Sequence, residues 1–131
     1  MRTAVLTFAA AMIAFIIDFA LGTAAMRLTR VPPDFPPFTL LPILSGAVGG
    51  AILASFVYAA VRAISSAPDR LFFFLTLAAF TLSLGLPLRL SFTRSLRFTG
   101  VTPAAQMVLV LMHAVVAVVS FITLTAKQEV W

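Results

Sequence analysis

Asp18 and His113 are the residues whose side chains could carry chemistry, because both are ionisable and both lie inside long apolar segments. Asp18 is eight residues from Met26, about 12 Å by helix rise. His113 is ten residues from Pro103, about 15 Å from the same face. The first and last helices are neighbours in an up-down bundle, so the two side chains could meet. An acid and an imidazole there could handle protons or bind a ligand.

The same pair has a purely structural interpretation, which we favour from the sequence. Polar groups inside a membrane seek one another, so Asp18 and His113 could form a buried hydrogen bond that fixes two helices in register. Ionisable residues inside a membrane are nonetheless candidates for function. The two interpretations stay open at this point.

Other polar residues are expected near this pair. We assign Thr81 and Ser83 of the third predicted helix, and Gln106 of the fourth, to the same polar layer. Gln106, His113 and Ser120 are spaced seven residues apart and so share one face of an otherwise apolar helix. The small residues opposite this layer would leave room for a water molecule or a ligand.

Several kinds of site are excluded by residue type. The chain has no Cys, which rules out disulfides and thiolate ligands. A single His cannot supply two axial haem ligands, and Asp18 with His113 alone falls short of the three protein ligands of a usual catalytic metal site. No set of residues suggests a nucleophile. We therefore expect no cofactor, no metal and no enzymatic activity.

Composition places the chain in a membrane. Of 131 residues, 62% are hydrophobic and 10% are charged, and the mean hydropathy is +1.13. A soluble domain has about 25% charged residues. The net charge of +5 comes from basic residues spread over termini and loops, which is typical of anchors beside membrane helices. We expect contact with the lipid bilayer and none with nucleic acid.

The apolar segments predict an all-α fold, an integral membrane four-helix up-and-down bundle. It forms a single transmembrane domain over residues 1–131, with helices at about 3–26, 39–63, 70–90 and 103–126. Thr39, Asp69 and Thr102 are placed to cap the last three helices. Gly85 and Pro87 predict a kink or an early end of the third.

Small residues line one face of each of the first two helices. Those around Asp18 are Ala11, Ala14, Gly22 and Ala25. Small residues let another helix come close, so Asp18 should face protein and not lipid. In the second helix Gly46, Gly50 and Ala54 form a row of the GxxxG type. A neighbouring row contains Ala47, Ala51 and Ser55. Both rows predict close helix packing, within the chain or with another subunit.

The loops suggest contact with headgroups but do not fix the orientation. The third loop interleaves basic and aromatic residues: Arg89, Phe92, Arg94, Arg97 and Phe98. The two sides of the membrane would carry four and five basic residues, which gives no preference. We expect a multi-pass protein of the cell membrane with cytoplasmic termini, because Arg2 precedes the first span.

The pattern resembles a family of small bacterial four-span integral membrane proteins of unknown function. The likeness rests on the small-residue first span and on three segments: Val31 to Pro37, Ser45 to Ala54, and Gln106 to Val115. It implies a four-helix membrane fold and brings no activity, so no catalytic residue follows from it.

The first functional hypothesis is a non-enzymatic structural or accessory subunit that self-associates or joins a larger membrane complex. The row Gly46, Gly50 and Ala54 is its main support. The alternative is a small oligomeric transporter or proton-coupled carrier that uses Asp18 and His113. It needs an oligomer, because four helices enclose little space.

Overall fold

The computed structural model describes residues 2–32, 35–89 and 101–126, and almost all of this backbone is helical. The elements are α1 (Arg2–Leu28), a 3₁₀ helix (Pro36–Phe38), α2 (Leu40–Ile64), α3 (Pro68–Ser83), α4 (Gly85–Arg89) and α5 (Pro103–Thr125). The prediction of an all-α four-helix bundle is confirmed. Most of the basic-aromatic third loop lies in 90–100, outside the described residues.

Four segments in the described ranges are long and apolar enough to cross a membrane. They are Thr3–Leu28, Leu40–Ile64, Pro68–Arg89 and Pro103–Thr125. Their lengths of 22 to 26 residues correspond to about 33–39 Å of helix, against a hydrocarbon core of about 30 Å. By length and composition, the chain is a multi-pass membrane protein.

Helices α1, α2 and α5 form the closely packed part of the bundle. Ala10 and Ala11 of α1 pack with Ala51 of α2, and Val119 of α5 lies against them. Because alanine side chains are small, the backbones of these helices can approach closely, as the small-residue pattern predicts. The hydroxyl of Thr7, early in α1, is hydrogen-bonded to that of Ser55, late in α2. Gly22, late in α1, lies beside Ile43 at the start of α2. Helices α1 and α2 are therefore antiparallel.

The proline-rich first loop closes one end of this packed part. Phe35 and Phe38 are almost fully buried, and their rings meet edge to face with centroids 5.2 Å apart. They pack in one cluster with Ile43 of α2, Ala105 of α5 and other apolar residues. Apolar contacts, and not only stiff prolines, hold the loop in place.

Helix α3 packs less closely than the others and is held at its two ends. Near its start, Phe72 is buried. Its ring centroid lies 4.8 Å from that of Tyr58 and 5.8 Å from that of Phe121. Past its other end, the Gln106 side chain donates a hydrogen bond of 2.8 Å to the Pro87 carbonyl. Between these two attachments α3 leaves a gap beside α2 and α5.

The predicted helix ends are partly correct. The Thr102 hydroxyl accepts from the backbone N–H of Ala105, as expected of an N-cap. Thr39 occupies the N-cap position of α2, but its hydroxyl donates to the Pro36 carbonyl. Asp69 is not a cap: α3 begins one residue earlier, at Pro68, whose missing N–H suits the first helical position.

Candidate functional site

A cavity of about 690 Å³ lies between α2, α3 and α5 and is partly open to the outside of the bundle. Its walls are mainly aliphatic and aromatic side chains. Pockets that bind small molecules have this character and measure about 300–1,000 Å³. It occupies the gap that α3 leaves beside α2 and α5.

Asp18 supplies the carboxyl group in the wall of this cavity. Its side chain is only 3% exposed, on the small-residue face of α1. Its Oδ1 atom is buried, and no hydrogen-bond partner for it occurs in the described chain. An unpaired polar atom away from water is costly, by about 1–3 kcal/mol or more. Asp18 is therefore a group that a ligand could satisfy.

Ser120 presents a second unpaired polar atom to the same cavity. It is 2% exposed, and its Oγ has no partner among the described residues. A serine in a helix commonly bonds to the carbonyl four residues earlier, and here it does not. The spacing of Ser120 from His113 in the sequence marked it as polar on the same face, but nothing there distinguished it as a candidate site residue.

His113 lines the cavity without bonding to Asp18. Its Nδ1 lies 2.7 Å from the Leu109 carbonyl oxygen. A carbonyl only accepts, so Nδ1 carries the hydrogen and Nε2 remains as the acceptor of the neutral ring. No hydrogen bond or ion pair joins His113 to Asp18 in the ranges described. The structure thus brings the predicted pair to one cavity, but not into a direct hydrogen bond.

The other residues assigned to the polar layer do not all lie at the cavity. Ser83 lines the cavity, and its hydroxyl donates to Phe80 O at 2.6 Å. Thr81 is exposed, donates to the Leu77 carbonyl of its own helix, and does not line the cavity. Gln106 lies about 10 Å along α5 from His113 by helix rise. Its side chain bonds to the end of α4, and its assignment to the layer is corrected accordingly.

The glycine row of α2 lies along the cavity. All three residues of the row line the cavity, and Gly50 also lies against Val116 of α5. In the neighbouring row Ala51 and Ser55 pack against α1, and Ala47 is buried beside the cavity. Both rows therefore serve contacts or space inside this chain.

Metal-ligating residues do not cluster in residues 2–32, 35–89 and 101–126: no three His, Asp or Glu side chains come together there. No protein family, curated protein or solved structure matches the chain. The resemblance to a bacterial membrane family stays a prediction, and the function has to be inferred from the cavity.

Proposed function

We propose that this chain is a membrane binding protein that holds a small, largely apolar molecule in the cavity between α2, α3 and α5. The observation that carries the proposal is the buried Asp18 carboxyl group, whose Oδ1 has no partner in the described chain and which lies in the cavity wall. Ser120 adds a second unpaired group. A ligand that bonds to both would remove two desolvation costs at once.

The opening of the cavity supports entry from the bilayer. Only one residue of α3, Phe72, is fully buried, and the cavity that this helix lines is partly open. A molecule that is mostly apolar partitions into the hydrocarbon region and so reaches this opening directly. The proposed function is closer to the carrier hypothesis, in which Asp18 and His113 serve transport, than to a purely structural role.

The test is a substitution that places a large side chain in the cavity. A Cβ atom on Gly46 meets nothing within 4 Å, and Gly46 lines the cavity. Gly49 has equally open space around it but does not line the cavity, which makes Gly49→Phe a matched control. Small molecules that co-purify with each variant in mild detergent are extracted and quantified by mass spectrometry.

We expect a compound retained by the wild type and by Gly49→Phe, and reduced in Gly46→Phe. The same set of compounds in the same amounts from all three proteins would contradict the proposal. The melting temperature of each variant, measured in the same detergent, shows whether the variant is folded. A folded Gly46→Phe that lacks the compound has lost binding and not structure.

A self-associating accessory subunit is the second candidate. The observation in its favour is a cavity of about 630 Å³ on the outer side of α1 and α2, lined by Ala4, Ala59 and larger apolar residues. Small residues in such a groove would let a helix of another subunit approach. Ala59→Phe should then lower the native mass in mild detergent, and Ala60→Phe, one residue outside the groove, should not.

We further propose that the protein is non-enzymatic and resides in the cell membrane of a bacterium, with both termini cytoplasmic. The mainly apolar lining supports a binding role. The resemblance supports a bacterial source, and the basic Arg2 before the first span supports the orientation.

A further inference from the structure

We propose that the molecule held in this cavity is an apolar organic cation, such as a hydrophobic amine or a quaternary onium ion. This inference rests on the proposed binding function and specifies its ligand. Three features of the cavity support it: its charge, its hydrogen-bonding groups and its aromatic rings.

The described cavity lining has an acidic side chain and no basic Lys or Arg side chain to neutralise it. Asp18 is the acidic residue of the described cavity wall, and that wall contains no Lys or Arg. Buried charges in proteins are paired, because an isolated carboxylate in an apolar environment is very costly. A ligand with one positive charge supplies the missing partner. An anionic ligand would add a second negative charge and be repelled.

The histidine of the cavity does not provide that partner. The Nδ1–H of His113 donates to Leu109 O, and the ring makes no ion pair with Asp18 in the described chain. A neutral ring in this tautomer presents Nε2, a lone-pair acceptor. Asp18 and His113 therefore both offer acceptor atoms, and a ligand with N–H donors or a positive charge satisfies both.

Aromatic and apolar side chains complete the lining. Phe80 lines the cavity, and the face of an aromatic ring attracts a cation within about 6 Å of its centroid. Ser120 lies seven residues beyond His113, about 10 Å along α5. The cavity thus fits a cation with sizeable apolar groups and room for a second polar atom at its far end.

The experiment compares two probes of nearly the same shape. Methyltriphenylphosphonium is an apolar cation, and triphenylphosphine oxide is its neutral analogue. Binding is measured by equilibrium dialysis against the full chain in nanodiscs of zwitterionic lipid, with empty nanodiscs as the blank. The variants are Asp18→Asn, which removes the ionisable carboxyl group from the cavity wall, and Asp69→Asn, which removes an exposed acid outside the cavity.

We expect the wild type and Asp69→Asn to bind the cation at least about tenfold more tightly than the neutral probe, because the cation pairs with a buried carboxylate that otherwise lacks a partner in the described chain. Asp18→Asn should lose this preference. Asn is nearly the same size as Asp, and if the variant nevertheless fails to fold, the ratio of the two probes in the wild type decides alone.

Equal or tighter binding of the neutral probe in the wild type would overturn the cation proposal, as would the absence of saturable binding of the cation. The proposed function is judged separately. If Gly46→Phe still reduces the co-purified molecule, the cavity binds a neutral ligand; if it does not, the binding function itself fails.

Discussion

Gly50 of α2 lies so close to Val116 of α5 that a Cβ atom at position 50 would come within 2.5 Å of Val116 Cγ1. Real Cβ atoms do not approach other atoms so closely, so any side chain at this position forces the two helices or the valine to move. Gly46, one turn earlier, has no such neighbour. The two glycines of the GxxxG pair therefore have different roles: one permits helix contact and the other leaves space.

This difference predicts opposite effects of the same substitution. Gly50→Ala should lower the free energy of unfolding by about 1–2 kcal/mol, because it overpacks the α2–α5 contact. Gly46→Ala should leave it unchanged or raise it by up to about 1 kcal/mol, because alanine favours the helix. Unfolding in detergent, followed by circular dichroism, measures both.

A compensating change tests the cause of the Gly50 effect. Val116→Ala removes the methyl groups that an alanine at position 50 would meet, so the double variant should regain most of the stability lost in Gly50→Ala. A double variant that is less stable than either single variant would show that the contact with Val116 is not what limits this position.

Thr7 and Ser55 form the polar contact between α1 and α2, with their hydroxyl oxygens 2.6 Å apart. Each hydroxyl also lies within bonding distance of a carbonyl of its own helix. Each hydroxyl has one hydrogen, so only two of these three hydrogen bonds are donated at a time. Loss of either side chain leaves the other a carbonyl partner.

A double-mutant cycle with Thr7→Val and Ser55→Ala should therefore give a modest coupling of about 0.5–1.5 kcal/mol, as found for hydrogen bonds between membrane helices. Thr23→Val is the control, because the Thr23 hydroxyl bonds within α1 to Phe19 O. Coupling between Thr23 and Ser55 of the same size would argue against a direct bond.

Gln106 connects α5 to the short helix α4 through the Pro87 carbonyl. Carbonyls at the end of a helix lack partners in the helix, so this bond satisfies one of them. Gln106→Leu should accelerate amide hydrogen exchange in residues 85–89 by about fivefold, the equivalent of one hydrogen bond of about 1 kcal/mol. Met107→Leu, at an exposed neighbouring position, should not. Unchanged exchange in Gln106→Leu would mean that other contacts hold α4.

The sequence was sufficient for the features that depend on composition or on local chemistry. Long apolar segments predict the four spans, and Thr102 followed by proline predicts the start of α5. The small residues around Asp18 predict a position against protein, and this residue is buried. Each of these depends on residues close together in the chain or on a simple count.

The cavity was not predictable in the same way, because it depends on how each helix is rotated about its axis. A helix that is apolar on all sides gives no signal for that rotation. Thr81 and Ser83 illustrate the problem: they are two residues apart, yet only Ser83 lines the cavity. The aromatic contacts of Phe72 that hold the start of α3 join residues distant in sequence.

The orientation in the membrane can be tested with single cysteines, since the chain has none of its own. Pro32 and Ser66 are exposed, in the connections before and after α2. The 25 residues of that helix separate them by about 37 Å. With cytoplasmic termini, Pro32→Cys should react with a membrane-impermeant maleimide in intact cells, and Ser66→Cys only after permeabilisation. The wild type controls for background labelling. The reverse pattern would place the termini outside, and labelling of both cysteines in intact cells would contradict a crossing by α2.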